Sequence, residues 1–411
     1  MLRTLVRSYR DAFSGLPRQV WVLALCLFVN RLGMMVVPFL ELYLTGARGY
    51  AVDVAGRLVA LYGVGSILGV SLGGRLADRF GPRRVQLVSL LAHAVFLAAL
   101  GFARTTLAIG AAIVAASLAG DAFRPANGAA ITAAVGPLSR ARAFSLMSFA
   151  VCVGLTLGLP LGGELAELDF AWLFWIDAGT ALVAAGVLFV LGARTPPPTP
   201  AERVLAAGAP SPWRDRPFLA FVLLQCAVAT VLFQFLGALP VFLKHELGFT
   251  ESAVGRALGL NALLIIVLEM QVVRRVERRS SPLWIALGSC LICAGYGLNL
   301  LADGALVALL SIAVWSVGEM LFFPLGAALA SQRAPEGGVG RYLGVYHLAF
   351  AVALVLAPLT GTALYEAAGA RGLWGTCLAL GGLLPLAYAV LHRRTGGWAP
   401  RAPVESASSA G

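Results

Sequence analysis

Apolar residues fall into long, nearly uninterrupted runs separated by short polar or charged segments. Each run has about 20 residues or more, the length that one helix needs to cross about 30 Å of hydrocarbon. The runs lack the alternating pattern of membrane β-strands, so the chain is predicted to be an all-α membrane protein. The pattern predicts twelve spans, at 19–44, 52–76, 84–103, 106–135, 141–166, 171–193, 217–243, 252–273, 283–302, 305–331, 340–366 and 371–392.

A proline-rich segment between the sixth and seventh spans predicts a linker between two halves. The first residues of the chain place apolar side chains on one helical face, which is typical of a helix lying on a membrane surface. The predicted order is an interfacial helix at 1–16, an N-terminal six-helix bundle at 17–193, a cytoplasmic linker at 194–216, a C-terminal six-helix bundle at 217–393 and a disordered tail at 394–411.

The two halves repeat each other at a nearly constant distance along the chain. Arg57 and Arg256 are 199 residues apart, and Asp121 and Glu319 are 198 residues apart. Repeated bundles with a substrate site between them are typical of secondary transporters. The repeat therefore predicts two related six-helix bundles.

Composition and charge agree with this class and predict its orientation. The chain is 59% hydrophobic and 12% charged, and its mean hydropathy is +0.84. The net charge of +11 comes largely from arginines in short loops between spans, so no nucleic-acid partner is predicted. Most of these arginines follow the spans that end on the side of the N-terminus. The positive-inside rule therefore places both termini in the cytoplasm of a bacterial inner membrane.

A short basic loop joins the second and third spans, and residues 73–87 read GGRLADRFGPRRVQL. This loop resembles the loop 2–3 signature of the major facilitator superfamily. The resemblance implies that superfamily's fold, with twelve transmembrane helices in two pseudo-symmetric six-helix bundles. It also implies a cytoplasmic gate formed by Gly74, Asp78, Arg79, Gly81, Arg83 and Arg84. The alternative is a basic loop that only sets the orientation of the protein and holds one neutralising aspartate.

Three further motifs resemble patterns of the same superfamily. Arg124-x-x-Asn127-Gly128 resembles its fourth-span motif, and Leu32-Gly33 followed by Pro38 resembles a first-span motif of its drug/proton antiporters. The fifth span, Gly154-x-x-x-Gly158-x-Pro160-x-Gly162-Gly163, resembles the antiporter motif, with its proline one place later than usual. These motifs imply a likeness to bacterial multidrug-resistance efflux proteins.

Four carboxylates within the spans are the predicted proton-coupling residues, because a carboxylate shielded from water can bind a proton reversibly near neutral pH. They are Asp121, Glu319, Glu269 and Glu41. Asp121 lies three residues before Arg124, so the two side chains can also form a static structural pair. Three further acids, Glu164, Glu167 and Asp177, lie near the outer ends of spans and are expected to be solvated or capping.

Polar and aromatic residues within the spans are candidates for a substrate cavity. Arginine inside a membrane is costly and remains charged, so it is expected to face a partner or water. Aromatic walls with few polar groups suit bulky apolar or cationic compounds. The candidates are Arg31, Arg124, Asn127, Gln234, Asn261, Phe322, Tyr346 and His347, and the alternative for each one is ordinary packing between helices.

These features predict a secondary transporter that exports small apolar or cationic compounds in exchange for protons. One alternative is a proton-coupled symporter that imports a small metabolite, and another is a membrane sensor that has lost transport. The sequence has no phosphate-binding glycine loop, metal cluster or nucleophile constellation, so neither an enzyme nor a cofactor is predicted and the proton gradient supplies the energy. The expected partners are the substrate, protons and the lipid bilayer, and the protein is expected to be a monomer.

Overall fold

In the computed structural model, helices make up nearly all of the described residues. The described residues are 15–135, 140–193, 211–276, 282–335 and 339–394, and no strand occurs among them. Span 1 consists of the helices Arg18–Leu32 and Val36–Leu42 and the π-helical turn Tyr43–Ala47. Spans 2 to 6 are Val52–Phe80, Pro82–Phe102, Thr106–Ala134, Arg140–Leu168 and Ala171–Leu191. Span 7 consists of the helix Arg216–Leu232, the 3-10 turn Phe233–Leu236 and the helix Ala238–His245. Span 8 is Glu251–Val276, span 9 is Pro282–Gly297 with the 3-10 turn Leu298–Leu301, and span 10 is Ala305–Arg333.

The last helical segment, Val339–Arg394, contains spans 11 and 12. Its 56 residues are far too long for one crossing, because a helix rises about 1.5 Å per residue and the hydrocarbon core is about 30 Å thick. Gly369 interrupts it with a φ of 66°, a backbone conformation that favours glycine. The eleven apolar helical segments of the described chain therefore give the predicted twelve spans.

Consecutive spans are antiparallel, so their ends lie on two sides of the molecule. We call the side that holds the start of span 1 the proximal side and the opposite side the distal side. On the proximal side, the N–H of Ala193 donates to Oε1 of Gln19 at 2.7 Å. On the distal side, Nη2 of Arg48 donates to the carbonyl oxygen of Arg104 at 2.8 Å. These contacts tie the span ends of the N-terminal bundle together on both sides.

Glycines of span 5 allow it to approach span 1 very closely. A Cβ atom added to Gly154 would lie 2.8 Å from Cβ of Arg31, and one added to Gly162 would lie 3.1 Å from Cβ of Met35. Such small-residue contacts are a usual way to pack helices in a membrane. In this structure, Gly154 and Gly162 of the fifth-span motif therefore serve the packing of span 5 on span 1, whereas Gly163 packs on the start of span 8.

Spans 1 and 7 are interrupted near their middle. In span 1 the α-helix stops after Leu32 and resumes at Val36, and Pro38 lies in the first turn of the second helix. In span 7 the interruption ends at Gly237, and Pro240 lies in the first turn that follows. Proline is tolerated there because the first N–H groups of a helix have no partner within the helix.

The predicted bounds of the two bundles remain predictions. Residues 1–14 of the predicted interfacial helix, 194–210 of the predicted linker and 395–411 of the predicted tail lie outside the described residues. Within the described part, the linker ends in a short 3-10 turn, Pro212–Arg214, directly before span 7.

Candidate functional site: the cleft between the bundles and its buried charges

The two bundles meet on the distal side through spans 5 and 8. Nη1 of Arg256 donates to Oε1 of Glu164 at 2.6 Å. Nearby, a Cβ atom added to Gly255 would lie 3.1 Å from Cα of Gly163, so the two backbones are in direct contact. The expectation that Glu164 is solvated holds, since its side chain is 55% exposed, but it also links the two bundles.

Two further carboxylates cross between the bundles on the distal side. Oε1 of Glu167 at the end of span 5 accepts from the N–H of Ser252 at the start of span 8, at 2.9 Å. Oε1 of Glu366 near the end of span 11 accepts from the N–H of Asp53 at the start of span 2, at 2.7 Å. We call these two contacts the distal clasps. The donors Asp53 and Ser252 are 199 residues apart in the sequence, and so are the acceptors Glu167 and Glu366.

The pseudo-symmetry of the clasps follows from the repeat. Each one places a carboxylate on the free N–H groups and the positive dipole end of a helix in the other bundle, which is a favourable position for an anion. The capping role expected for Glu167 is confirmed, and its partner helix belongs to the other half. Glu366 was not predicted, although its position 199 residues after Glu167 is a signal that could have identified it.

On the proximal side, a groove of about 520 Å³ separates the bundles at the ends of spans 2 and 11. Arg75 of span 2 and Arg341 of span 11 both line it, together with Trp213 before span 7. Because the clasps lie on the distal side and the groove on the proximal side, the cleft between the bundles opens toward the proximal side.

The predicted gate residues lie at the proximal end of span 2 and contact their own bundle. Gly81 has a φ of 84° and joins spans 2 and 3. Nη2 of Arg83 donates to the carbonyl oxygen of Phe189 at the end of span 6, at 2.7 Å. The guanidinium of Arg79 lies 5.2 Å from the ring centre of Phe80.

The remaining gate candidates make few contacts. Arg84 is exposed, and a Cβ atom on Gly74 would meet only Pro125, at 3.9 Å. The side chain of Asp78 and all of Glu277 lie outside the described residues. The gate therefore remains a prediction.

In the N-terminal bundle, Asp121 and Arg124 of span 4 form the predicted pair. Nη1 of Arg124 lies 3.6 Å from Oδ1 of Asp121. The side chain of Asp121 is 8% exposed and that of Arg124 is 55% exposed. His347 of span 11 is also exposed and lies within electrostatic range of Arg124. Arg124 and His347 therefore face the cleft, while Asp121 lies behind them in the bundle.

Arg31 lies inside the N-terminal bundle and lines a small cavity there. The cavity has a volume of about 30 Å³, enough to hold one or two water molecules. Nη1 of Arg31 lies 2.6 Å from Sδ of Met34, within the interruption of span 1. The polar residues that line the cavity are Asn30, Arg31, Tyr62, His93, Asp121 and Asp177.

Asp177 of span 6 also lines this cavity, and its burial was not predicted from the sequence. From its position near the distal end of the span it was expected to be solvated or capping, but it is 3% exposed. Arg31 and Val36 of span 1 line the same cavity, and Arg31 lies within electrostatic range of its carboxylate. Its partners are more than 130 positions earlier in the chain, so no local pattern could have indicated them.

In the C-terminal bundle, Glu319 is held by the neighbouring span. Nδ2 of Asn261 in span 8 donates to Oε2 of Glu319 at 2.8 Å and to Oγ of Ser316 at 3.0 Å. Glu269 of span 8 is half-buried. Both carboxylates act electrostatically on Cys152 of span 5, which places them on the side of the C-terminal bundle that faces the other half.

Glu41 of span 1 lies between the bundles and is fully buried, with an exposure of 0%. A Cβ atom on Gly237, at the interruption of span 7, would lie 2.7 Å from Oε2 of Glu41. Neither carboxylate oxygen has a hydrogen-bond partner among the described residues. An ionised carboxylate in such a place is costly, so this position suits a group that binds a proton.

The other predicted cavity residues are engaged in packing. Asn127 is buried and accepts from Nε2 of Gln86 at 3.0 Å. Gln234 is buried at the interruption of span 7, where it donates to the carbonyl oxygen of Ala357 in span 11 at 2.9 Å. Phe322 and Tyr346 are 0% and 1% exposed in the core of the C-terminal bundle.

Two helical bundles that meet on one side of a membrane, with charged groups facing the cleft between them, define a membrane transporter. Residues 23–358 match the family model of the Major Facilitator Superfamily. The chain belongs to this superfamily, and the resemblance of its loop 2–3 is confirmed.

Relatives of known name agree with this assignment. The chain is 28% identical over 371 residues to the multidrug resistance protein MdtH of Aeromonas salmonicida (strain A449), with 88% of this chain and 91% of the relative covered. It is 28% identical over 351 residues to MdtH of Yersinia pestis (strain Pestoides F), covering 82% and 84%.

Solved structures of transporters share the fold. A POT family transporter in complex with a thioalcohol conjugated peptide superposes with a TM-score of 0.79 at 15% identity, covering 94% of this chain and 98% of that one. A peptide transporter POT in complex with sulfate superposes with a TM-score of 0.78 at 18% identity, covering 93% and 96%. At these identities the likeness concerns the fold alone.

Proposed function

We propose that the chain is a proton-coupled efflux transporter, which exports small apolar or cationic compounds in exchange for protons by alternating access. It would lie in a bacterial inner membrane with both termini in the cytoplasm, so that the proximal side is cytoplasmic. The observation that carries the proposal is the pair of acids Asp121 and Glu319, which occupy related positions on opposite sides of one cleft. The multidrug-resistance relatives support the direction of transport.

The contacts of the two acids suggest how a proton and a substrate exclude each other. When Asp121 is ionised it is attracted to Arg124, which carries a permanent charge. A proton on Asp121 removes that attraction, and Arg124 then presents an uncompensated positive charge to the cleft. A cationic substrate is repelled in that state, and it binds best after the proton has left. Glu319, whose hydrogen-bond donor Asn261 is neutral, would lose its negative charge when it binds a proton, and a cationic substrate would then be attracted less.

In this proposal the distal clasps and the loop 2–3 gate close opposite sides of the cleft. The clasps are formed and the proximal groove is open, which is the state that would take up substrate from the cytoplasm. Export then requires the clasps to break and the proximal ends of the bundles to approach. Glu41 lies at the surface that would separate, so it is a further candidate for binding a proton.

Reconstituted vesicles test the proposal. A panel of apolar and cationic compounds is added under an imposed pH gradient, and the internal pH is followed with a trapped dye. We expect substrate-dependent proton movement that is lost in Asp121→Asn and Glu319→Gln. The control is Glu246→Gln, because Glu246 bonds to Tyr365 within one bundle on the distal side. Substrate transport without any change in internal pH would show that proton coupling is wrong.

A proton-coupled importer of a small metabolite is the second candidate function. It is favoured by one observation, the 55% exposed guanidinium of Arg124 in the cleft, because a fixed cation suits an anionic or zwitterionic substrate. A deletion strain separates the two functions. Sensitivity to toxic compounds would support efflux, and loss of growth on a nutrient would support import.

A further inference from the structure

We propose that Glu41 is a proton-dependent latch on the distal side. A proton on its carboxyl favours contact between the two bundles there, and the same proton returns to the distal side when the bundles separate. Glu41 therefore makes distal opening depend on pH, and it carries no proton across the membrane. The latch itself needs no substrate, and its place in the export cycle rests on the proposed function.

Glu41 lies where the distal half of span 1 packs on the interruption of span 7. A Cβ atom added to Gly237 would lie 2.7 Å from Oε2 of Glu41 and 3.7 Å from Cα of Pro358 in span 11. Because Gly237 has no side chain, the carboxyl of Glu41 lies directly against the backbone of the other bundle. Separation of the bundles at this point would expose it to water.

A comparable position in the other bundle holds an apolar residue. Glu41 is the third residue after Pro38, and Leu243 is the third residue after Pro240, in the helices that follow the two interruptions. Both side chains are 0% exposed. Leucine is sufficient where a buried side chain only packs, so the acid at position 41 points to a chemical role.

The surroundings of Glu41 suit a neutral carboxyl group and not a carboxylate. Neither of its oxygens has a hydrogen-bond partner among the described residues. No charged or titratable side chain in the described parts of spans 2, 5, 6, 7 and 11 acts on it electrostatically. A buried ion without a partner costs far more than the neutral acid. The structure with the distal side closed therefore selects the protonated form.

The pocket nearest to Glu41 along span 1 lies on the distal side. It has a volume of about 580 Å³ and is lined by Gly46 at the end of span 1 and by Lys244 at the end of span 7. Gly46 is five residues after Glu41, which is at most about 8 Å along a helix. The proximal groove is lined by Arg75 and Arg341, at the opposite ends of their spans. A proton on Glu41 therefore exchanges with the distal side.

Alternating access distinguishes a latch from a carrier of protons. A carried proton must reach the proximal side when that side is open. Glu41 is 0% exposed in this structure, although the proximal groove is open. Glu319, by comparison, is only partly buried on the side of its bundle that faces the other half. Glu41 therefore keeps its proton while the proximal side is open and releases it after the distal side opens.

The latch and the distal clasps respond to pH in opposite directions. The closed state binds the proton of Glu41 more tightly than the open state, so acid favours closure and a rising pH favours opening. Glu167 and Glu366 accept hydrogen bonds as carboxylates, so acid would weaken the clasps and favour opening. Exposed glutamates titrate at about pH 4.3, so the clasps stay ionised between pH 5.5 and 7.5. The direction of the pH effect in this range therefore identifies the latch.

Spin labels at Arg104→Cys and Asp303→Cys, on distal loops of the two bundles, measure the distal-open population in lipid nanodiscs without substrate. We expect this population to rise at least about threefold from pH 5.5 to pH 7.5, since one titrating group allows up to about tenfold per pH unit. Glu41→Gln is neutral at every pH, so its distal side should stay closed throughout. The control is Glu246→Gln, which removes a distal carboxylate within one bundle and should keep the wild-type response.

Two outcomes of this titration would overturn the proposal. One is a distal-open population that does not rise with pH in the protein with Glu41 intact, a measurement that requires no change at position 41. The other is an equal rise in Glu41→Gln, which would assign the pH dependence to another group.

Vesicles with a trapped pH dye, given the same panel of apolar and cationic compounds, test whether Glu41 carries a proton. In Glu41→Gln we expect slower substrate transport, because the distal side opens less often, with the same number of protons moved per substrate. Continued substrate transport without proton movement would show that Glu41 is a carrier and would overturn the latch. Absence of proton movement in the wild type would instead contradict the proposed function and leave the spin-label result standing.

Discussion

At the scale of single residues, the closest contacts between spans occur at glycines, where a larger residue would clash with the neighbouring span. Gly33 in the interruption of span 1 is the clearest case, because Thr180 of span 6 occupies the space where a Cβ atom would be. The backbone of Gly33 has a φ of −84°, which any residue adopts. The requirement for glycine at this position therefore comes from packing and not from the backbone conformation.

Gly33→Ala is expected to destabilise the protein by about 1–3 kcal/mol, the usual cost of overpacking a tight contact. Adding Thr180→Ala restores part of that loss, because it removes Oγ1 and Cγ2 but leaves Cβ of residue 180 at 2.7 Å from the new Cβ. Gly179→Ala is the matched control, since a Cβ atom there has no neighbour within 4 Å. Thermal unfolding in detergent measures all four variants. No recovery in the double variant would show that the clash does not involve Thr180.

Asp215, at the proximal start of span 7, accepts several hydrogen bonds outside the spans. It accepts from Nε and Nη2 of Arg333 at 3.0 and 3.2 Å and from the hydroxyl of Tyr342 at 3.1 Å. It also accepts from the N–H of Phe218 at 3.3 Å and so caps span 7. Burial alone would raise the pKa of Asp215, but these hydrogen bonds and the charge of Arg333 together lower it.

Asp215→Asn is expected to cost about 1–3 kcal/mol at pH 7, because Arg333 loses a charged partner. A carboxyl whose pKa is lower in the folded state stabilises the protein above its ordinary value of about 4. That contribution is lost as the pH falls through the folded pKa. The difference in melting temperature between wild type and variant should therefore shrink between pH 5 and about pH 3. A difference that is constant over this range would show that the charge of Asp215 does not stabilise the fold.

At the scale of helices, the two bundles are joined on the distal side by polar contacts that water can replace. The clasps place exposed carboxylates on helix N-termini, and each hydrogen bond is weak because water competes for both of its partners. Contacts of this size are strong enough to favour a closed state and weak enough to break in each transport cycle. The glycine contact between spans 5 and 8 lets the helices meet closely without interlocking side chains.

Loss of either clasp is expected to populate a distal-open state. Glu167→Ala and Glu366→Ala should each raise its population by roughly two- to tenfold, because each removes the acceptor of one hydrogen bond. The effects should be similar because the clasps are pseudo-symmetric, and the double variant should show both together. Spin labels at Arg104→Cys and Asp303→Cys, on distal loops of the two bundles, measure the distance.

Glu246→Ala is the control for this experiment. Glu246 accepts from the hydroxyl of Tyr365 at 3.0 Å on the same side, but both residues belong to the C-terminal bundle. The label distance should be unchanged in this variant. An unchanged distance in the double clasp variant as well would show that other contacts, such as Glu164 with Arg256, hold the distal side closed.

The sequence predicts the helices well because membrane spans depend on local runs of apolar residues. It also predicts the pairing of Asp121 with Arg124, since both lie on one face of one helix. The interruption of span 1 and the burial of Asp177 depend on contacts between spans 1 and 6. Hydrophobic pattern alone carries no information about such contacts, so the charge cluster could be predicted only in part.

At the scale of the whole molecule, the internal repeat makes the two distal clasps equivalent and leaves the charged sites different. Asp121 has an arginine beside it, while Glu319, 198 residues later, has an asparagine donor. A proton therefore changes the net charge next to a fixed cation in one bundle and turns a charge-assisted hydrogen bond into a neutral one in the other. The two bundles therefore share equivalent contacts on the distal side, but the residues beside their buried acids differ.

If the bundles pivot as rigid bodies, opening the distal side must close the proximal groove. Ser71→Cys and Gly344→Cys place one thiol on each wall of that groove, at exposed positions of spans 2 and 11. A short bifunctional maleimide should link them slowly in the otherwise unchanged protein and several-fold faster when Glu167→Ala and Glu366→Ala are added. Gln19→Cys with Ala193→Cys, both in the N-terminal bundle, should react at one rate in both backgrounds. Faster linking without a longer distal distance, or a longer distance without faster linking, would mean that the two sides move independently.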